Sequence, residues 1–191
     1  EYERDTRGAH RRPAEKVFVG FGLGSGYGWQ PGGSLEFVKE KRVDAGQLSG
    51  GLVTLLPELG YQLSENTSVS LLGRLQFIPA EGSGDFRAGS PIERAYAVLG
   101  KLTFSSGMNN WRGLYSLYAG AGNFRLRVPP APGETVRSDT VRGGPFLGGA
   151  GLGFAYHASA HFAWTLELRA LVGMPTLAAV GDLSTGIEVG F

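Results

Sequence analysis

Glu58, Arg74, Lys101, Glu167, Arg169, Asp182 and Glu188 are the charged residues whose types and spacing could do joint chemistry. Acids and bases among them nearly balance. Gathered in a dry interior they would pair, because a lone charge in low dielectric is costly and a paired one is tolerable. Such a set could form an ion path, or it could fill and rigidify a narrow space. The static plug is the reading taken here, and the ion path is its alternative. A second group is His157, Ser159 and Glu167, which could supply a base, a nucleophile and an orienting acid. The spacing puts His157 and Ser159 in a short turn, away from the protected site that a nucleophile needs, so no catalytic residue is assigned. His157 and His161 stand four apart, which suits a helix, but here the interval spans a turn. With no cysteine in the chain, neither a metal site nor a cofactor is expected. The alternate glycines from Gly20 to Gly28 miss the third position of the dinucleotide fingerprint.

The elements that must position these charges alternate strictly. Val17, Val19, Phe21, Leu23, Tyr27 and Trp29 fall on one face, and Phe18, Gly20, Gly22, Gly24, Gly26 and Gly28 fall on the other. A helix would scatter both sets around its circumference, so a strand is predicted. Seven more segments repeat the pattern. Val53 to Leu63 carries Glu58 on its polar face, Val69 to Phe77 carries Arg74, and Tyr96 to Phe104 carries Lys101. The fifth, Trp111 to Val128, is ambiguous. Leu114, Tyr118, Phe124 and Leu126 are placed outward because Arg125 and Arg127 alternate with the last two. Phe146 to Tyr156 follows, then Phe162 to Val172 with Glu167 and Arg169, then Leu177 to Phe191 with Asp182 and Glu188. Counted from the 64–67 turn, Glu58 and Arg74 sit at comparable depth.

The connections alternate in length. Those at 64–67, 105–110 and 157–161 are short. Those at 30–47, 79–92 and 129–144 are long and rich in Gly, Pro and charge, as exposed loops should be. The last, around Gly173, Met174 and Pro175, is short and departs from the scheme. Composition agrees with strands rather than helices. Stretch 163–180 is the nearest to a spanning helix, and Glu167, Arg169 and Pro175 interrupt it. A net charge of +1 gives no electrostatic footprint for nucleic acid.

Orientation decides the fold class. A soluble barrel puts its apolar residues inside, yet a ring of about eight strands has an interior only just wide enough to be filled. Here one face carries Val, Leu, Ile and aromatics. The other carries the charges, with Thr, Ser, Gln and the bulk of the glycines. The apolar face must therefore point out, into lipid, and the small polar face must line the lumen. Aromatics support this. Tyr27, Trp29, Phe77 and Phe124 come near one set of strand ends, and Tyr61, Phe104, Tyr156, Phe162 and Phe191 near the other. These are two girdles at two membrane interfaces. The fold predicted is all-β: an eight-stranded, antiparallel, up-and-down transmembrane β-barrel.

This pattern resembles the small bacterial outer-membrane β-barrel family, similar to the eight-stranded OmpA-like transmembrane domain, over residues 16–191. Leu183, Ile187, Val189 and the terminal Phe191, at alternate positions, resemble the C-terminal signal that the barrel-assembly machinery reads in that family. The resemblance implies a bacterial outer membrane, with both termini periplasmic, and the assembly machinery as a partner. Residues 1–15 are charged and lack an apolar period, and they read as a periplasmic linker or tail. A preceding periplasmic domain is a possible partner. Arg87, Arg94, Arg125, Arg127, Arg137 and Arg142 could meet lipopolysaccharide phosphates. The functional expectation is a non-enzymatic barrel that anchors or presents loops, its lumen closed by the charge network. The alternatives are a narrow channel or small-ligand pore, and a lipid-modifying barrel enzyme. His157, Ser159 and Glu167 superficially resemble the arrangement of outer-membrane lipid A deacylases, but on the periplasmic side they would face away from lipid A.

Overall fold

A computed structural model describes residues 16–30, 33–34, 42–43, 47–78, 93–107, 110–128, 139–159 and 161–191. The charged stretch 1–15 and the 79–92 connection lie outside these described residues.

The apolar–polar alternation folds as strands throughout. In chain order they are β1 Val17–Gln30, β2 Gly33–Ser34, β3 Arg42–Val43, β4 Gln47–Ser64, β5 Thr67–Ile78, β6 Glu93–Ser106, β7 Trp111–Gly122, β8 Phe124–Val128, β9 Asp139–His157, β10 Phe162–Thr176 and β11 Ala178–Gly190. β1, β4, β5, β6, β7, β9, β10 and β11 pair antiparallel in sequence order, and β11 returns to β1 through Phe18↔Gly190 to Trp29↔Ala179. The β9–β10 ladder, Ala163↔His157 to Thr176↔Gly144, completes the ring. The fold is thus a closed eight-stranded antiparallel β-barrel. Closure leaves none of the eight wall strands at a sheet edge. β2 and β3 form a small separate ladder within the 30–47 connection.

Faces follow the pleat. Phe21, Leu23, Val53, Leu71, Val98, Leu117, Leu152, Leu168 and Leu183 point outward and are exposed. Thr54, Leu56, Leu72, Arg74, Leu99, Lys101, Glu167, Arg169 and Asp182 point inward and are buried. The outward row from Phe162 to Val172 rises roughly 25 Å at ordinary strand rise and tilt, the height of a hydrocarbon band.

The fifth segment needs correction. Leu114, Tyr118, Phe124 and Leu126 are all buried, facing the interior, and Trp111, Tyr115 and Leu117 take the outward side. The segment also breaks. β7 ends at Gly122, and β8 turns over the mouth of the barrel while pairing with 139–143 of β9. Phe124 therefore belongs to the lumen and not to a girdle. The long 129–144 connection is shorter than its sequence implies, since β9 already runs from Asp139. Gly173, Met174 and Pro175 lie within β10, and the tight turn there falls at Leu177.

One end of the barrel gathers the turns after β4, β6 and β9, the start of β1 and the chain end at Phe191. Gln62 N donates to Lys16 O at 2.7 Å, Phe191 N to Val17 O at 2.9 Å and Gly190 N to His161 O at 2.8 Å. Arg112 ties two of the turns, its Nη1 donating to Glu65 O at 2.9 Å. The long connections leave from the opposite end.

Leu168, mid-strand on β10 and 58% exposed, tests which way the faces point. Leu168→Arg should cost roughly 2–4 kcal/mol of folding free energy in a bilayer. Urea unfolding of the barrel folded into liposomes reads this, and an unchanged midpoint would show that Leu168 does not meet lipid.

Candidate functional site

The inward positions form two tiers of paired charge and an apolar cap. The first tier lies toward the short-turn end. Register sets Lys101 beside Tyr118 and Ser70, and Glu58 beside Gly20. Lys101 Nζ sits 3.2 Å from Glu58 Oε2 and 3.3 Å from Glu167 Oε2. Arg169 Nη2 donates to the same Glu167 oxygen at 3.1 Å. Tyr118 donates its hydroxyl to Glu167 Oε1, and Ser70 donates to Glu58 Oε1, each at 2.5 Å. The Arg169 guanidinium also lies over the Tyr118 ring, 4.9 Å from its centre, a favourable seat for a cation. Glu188 is half-buried and lines a cavity shared with Glu58, Lys101, Glu167 and Arg169. That cavity measures about 20 Å³, room for about one water.

The second tier crosses the lumen from β5 to β11. Arg74 Nη2 lies 2.9 Å from Asp182 Oδ2, and Nε donates to the same oxygen at 3.1 Å. Both side chains have no exposed area. Arg74 Nη1 reaches Gln76 Oε1 at 3.0 Å. Gln76 in turn grips the main chain of β8: its Nε2 donates to Arg125 O at 2.6 Å, and Arg125 N donates back to Oε1 at 3.1 Å. A single chain of polar contacts thus runs from Asp182 to the segment that covers the mouth. Above it Phe124 and Leu126 pack in one buried cluster with Leu171, Ala178 and Val180.

The glycine-bearing wall makes this possible. A Cβ at Gly151 would stand 2.9 Å from Glu167 Oε1 and 3.2 Å from the Tyr118 ring. Register alone sets Glu58 and Leu72 side by side. Glu58 pairs with Lys101, and Arg74 pairs with Asp182, so the hairpin neighbours Glu58 and Arg74 are not partners.

Gln76, Tyr118 and Ser70 complete the arrangement and were missing from the charge-based set. Inward parity signals Gln76 and Ser70, whereas the misread face of β7 hides Tyr118. The other group considered does not assemble. Ser159 Oγ accepts from His161 N at 3.3 Å and Phe162 N at 3.1 Å, as a turn cap. His157 is registered with Ala163 and Glu167 with Gly153, four residues or about 13 Å apart along the strand.

Outside, Tyr27 and Trp29 are exposed at the loop end, with Phe77 half-buried near them. Tyr61, Phe104 and Phe162 are exposed at the turn end, where Tyr156 is half-buried. Trp111 joins that end, its ring centre 4.9 Å from Tyr156 and 6.1 Å from Phe154. Leu183, Ile187 and Phe191 are exposed along β11 and at the chain end, and Val189 is half-buried.

The barrel fold recurs in solved structures over nearly the whole chain. Neisserial surface protein A (NspA) superposes with a TM-score of 0.58 at 11% identity, covering 92% of this chain and 97% of that one. Ail, the attachment invasion locus protein of Yersinia pestis, gives 0.56 at 13% identity, covering 93% and 99%. The N-terminal β-barrel domain of Pseudomonas aeruginosa OprF gives 0.50 at 11% identity, covering 91% and 98%. No protein-family model matches the chain. No curated protein matches it. At these identities the likeness is one of fold: this chain has the fold of the eight-stranded outer-membrane β-barrels.

Removing one side of the cross-lumen pair leaves a buried charge unpaired. Arg74→Ala should destabilise the barrel by roughly 3–5 kcal/mol, whereas Arg74→Met combined with Asp182→Leu should recover much of that loss. Unfolding midpoints in detergent micelles compare the three proteins. A single variant as stable as the parent would rule out the pair as a structural strut.

Proposed function

We propose that this chain, on the fold it shares with those barrels, is a non-enzymatic bacterial outer-membrane protein. In this reading it anchors what is joined to it and presents its long connections outside, while its resting lumen is closed by its own side chains. The observation that carries the reading is the inverted distribution of side chains. Large apolar groups such as Leu59, Leu71, Tyr115, Leu152 and Leu168 face outward on every side, while Arg74, Glu167, Arg169 and Asp182 are buried. Water would penalise that outer surface, and hydrocarbon suits it. A closed ladder is also one of the two structures whose backbone is satisfied within a bilayer.

An even strand count, with short turns at the end where β1 begins and Phe191 lies, supports periplasmic termini. Tyr27, Trp29 and Phe77 then sit at the outer interface, and Tyr61, Phe104, Tyr156 and Phe162 at the inner one, where amphipathic rings settle. Leu183, Ile187, Val189 and Phe191 offer the alternating apolar terminus that fits recognition by the barrel-assembly machinery. Arg94 and Arg142 are exposed at the loop end and suit lipopolysaccharide phosphates. Ail has been solved in complex with the heparin analogue sucrose octasulfate, an anion that arginines of this kind could also meet. A periplasmic domain joined ahead of Glu1 would be held at the membrane by the barrel. The closed lumen is supported by the six charges paired in two tiers and by Phe124 and Leu126 at the mouth.

Expressed with an export signal in a Gram-negative host, the chain should sediment with the outer membrane and migrate as a heat-modifiable band. An epitope within 79–92 should be labelled on intact cells, and one ahead of Glu1 only after permeabilisation. The lipid A mass spectrum should match that of cells without the protein. Recovery in the soluble periplasm would refute the membrane placement, labelling ahead of Glu1 on intact cells the orientation, and a new lipid A species the non-enzymatic role.

A further inference from the structure

The arm formed by β8 and 139–143 fills the mouth without belonging to the wall. The β7–β9 ladder ends at Ala121↔Phe146, and the β9–β10 ladder ends at Thr176↔Gly144. Beyond those points the ladder from Phe124↔Gly143 to Val128↔Asp139 joins only the two strands of the arm. The ring is complete without it. Where the arm leaves the wall, Gly122 and Gly144 have φ of +138° and +127°, a backbone state that favours glycine. A Cβ on Gly144 would meet the carbonyl oxygen of Gly122, so both strands bend at one level.

The mouth is shaped for the arm. A Cβ on Gly28, across the lumen on β1, would collide with the Leu126 side chain, and one on Gly173 would lie 3.2 Å from the Phe124 ring. Among the described residues Gln76 fastens the arm through its two bonds to the Arg125 main chain.

We propose that this arm is a hinged stopper, and that swinging it out opens the lumen to small hydrated ions. The proposal rests on the membrane reading above and adds that the closure is reversible. Among the described residues withdrawal breaks no ladder pair of the wall. It exposes Phe124, Leu126 and the wall residues they pack on, Leu171, Ala178 and Val180, and it releases Gln76 from Arg125. The same Gln76 oxygen is shared by Arg74 Nη1, so a departing arm also loosens the strut beneath it. Below the mouth the lumen is lined by the two charged tiers, by Leu56, Leu72 and Leu99, and by glycines of β1 and β9, and ions pass as the paired side chains exchange their partners for water. The mouth is thus the apolar seal, and the charged tiers are the lining.

The chain contains no cysteine, so an engineered pair reports cleanly. A Cβ on Gly28 would be 2.9 Å from Leu126 Cγ, close enough for Gly28→Cys with Leu126→Cys to form a disulfide. This protein would be folded into planar bilayers and recorded oxidised and then reduced. The oxidised barrel should be silent, and brief openings should return on reduction. Gln76→Ala, in the cysteine-free chain, should raise the open fraction about tenfold through the loss of two hydrogen bonds. A folded, inserted barrel that forms no cross-link would overturn the stopper, as would identical traces before and after reduction. An open fraction unchanged by Gln76→Ala would overturn it as well. Failure of the parent chain to enter bilayers would instead remove the membrane reading, and the stopper with it.

Discussion

The width of an eight-stranded ring governs everything inside this protein. Such a ring encloses enough space for side chains and little else. A charge placed there loses its water and must find its counter-charge across the lumen. Arg74 and Asp182 meet that demand. They stand on β5 and β11, separated by β1 and β4 around the ring, and touch through two guanidinium nitrogens at 2.9 and 3.1 Å. The pair is less a source of net stability than a condition on it, since either charge alone would be far worse than neither.

The same width divides the lumen into unlike walls. Leu56, Leu72 and Leu99 line the β4–β6 side. Gly20, Gly22 and Gly24 of β1 and Gly149, Gly151 and Gly153 of β9 line much of the other side. Long side chains such as Lys101 cross the gap, and their targets stand beside residues without side chains. Gly151 illustrates the exchange, because a methyl group there would press on both Glu167 and Tyr118. Glycine weakens a strand, and here that cost is what leaves room for the buried ion pairs.

Much of this could be read from the sequence, because a period of two converts residue order into facing. Seven of the eight wall strands follow the outward and inward sets that their alternation predicts, and Val17 to Trp29 against Phe18 to Gly28 is the plainest case. Partner choice was not legible. Register makes Glu58 a neighbour of Leu72, but which acid meets which base depends on curvature around the closed ring, and no local pattern encodes that. Lys101 reaching both Glu58 and Glu167, and Gln76 holding Arg125, are contacts between strands far apart in the chain.

The fifth segment shows where facing itself can mislead. In the wall of the barrel, charge marks the lumen and apolar side chains mark the outside. Phe124 and Leu126 obey the opposite rule, because β8 has left the wall for the mouth. At the mouth burial rewards the apolar residues, and Phe124 and Leu126 turn inward with less than 3% of their surface exposed. Gly122 and Gly144 mark the point of inversion with backbone angles that other residues avoid. An alternating pattern therefore carries an orientation only together with its height. For this chain the height changes in the middle of a segment that the sequence presents as continuous.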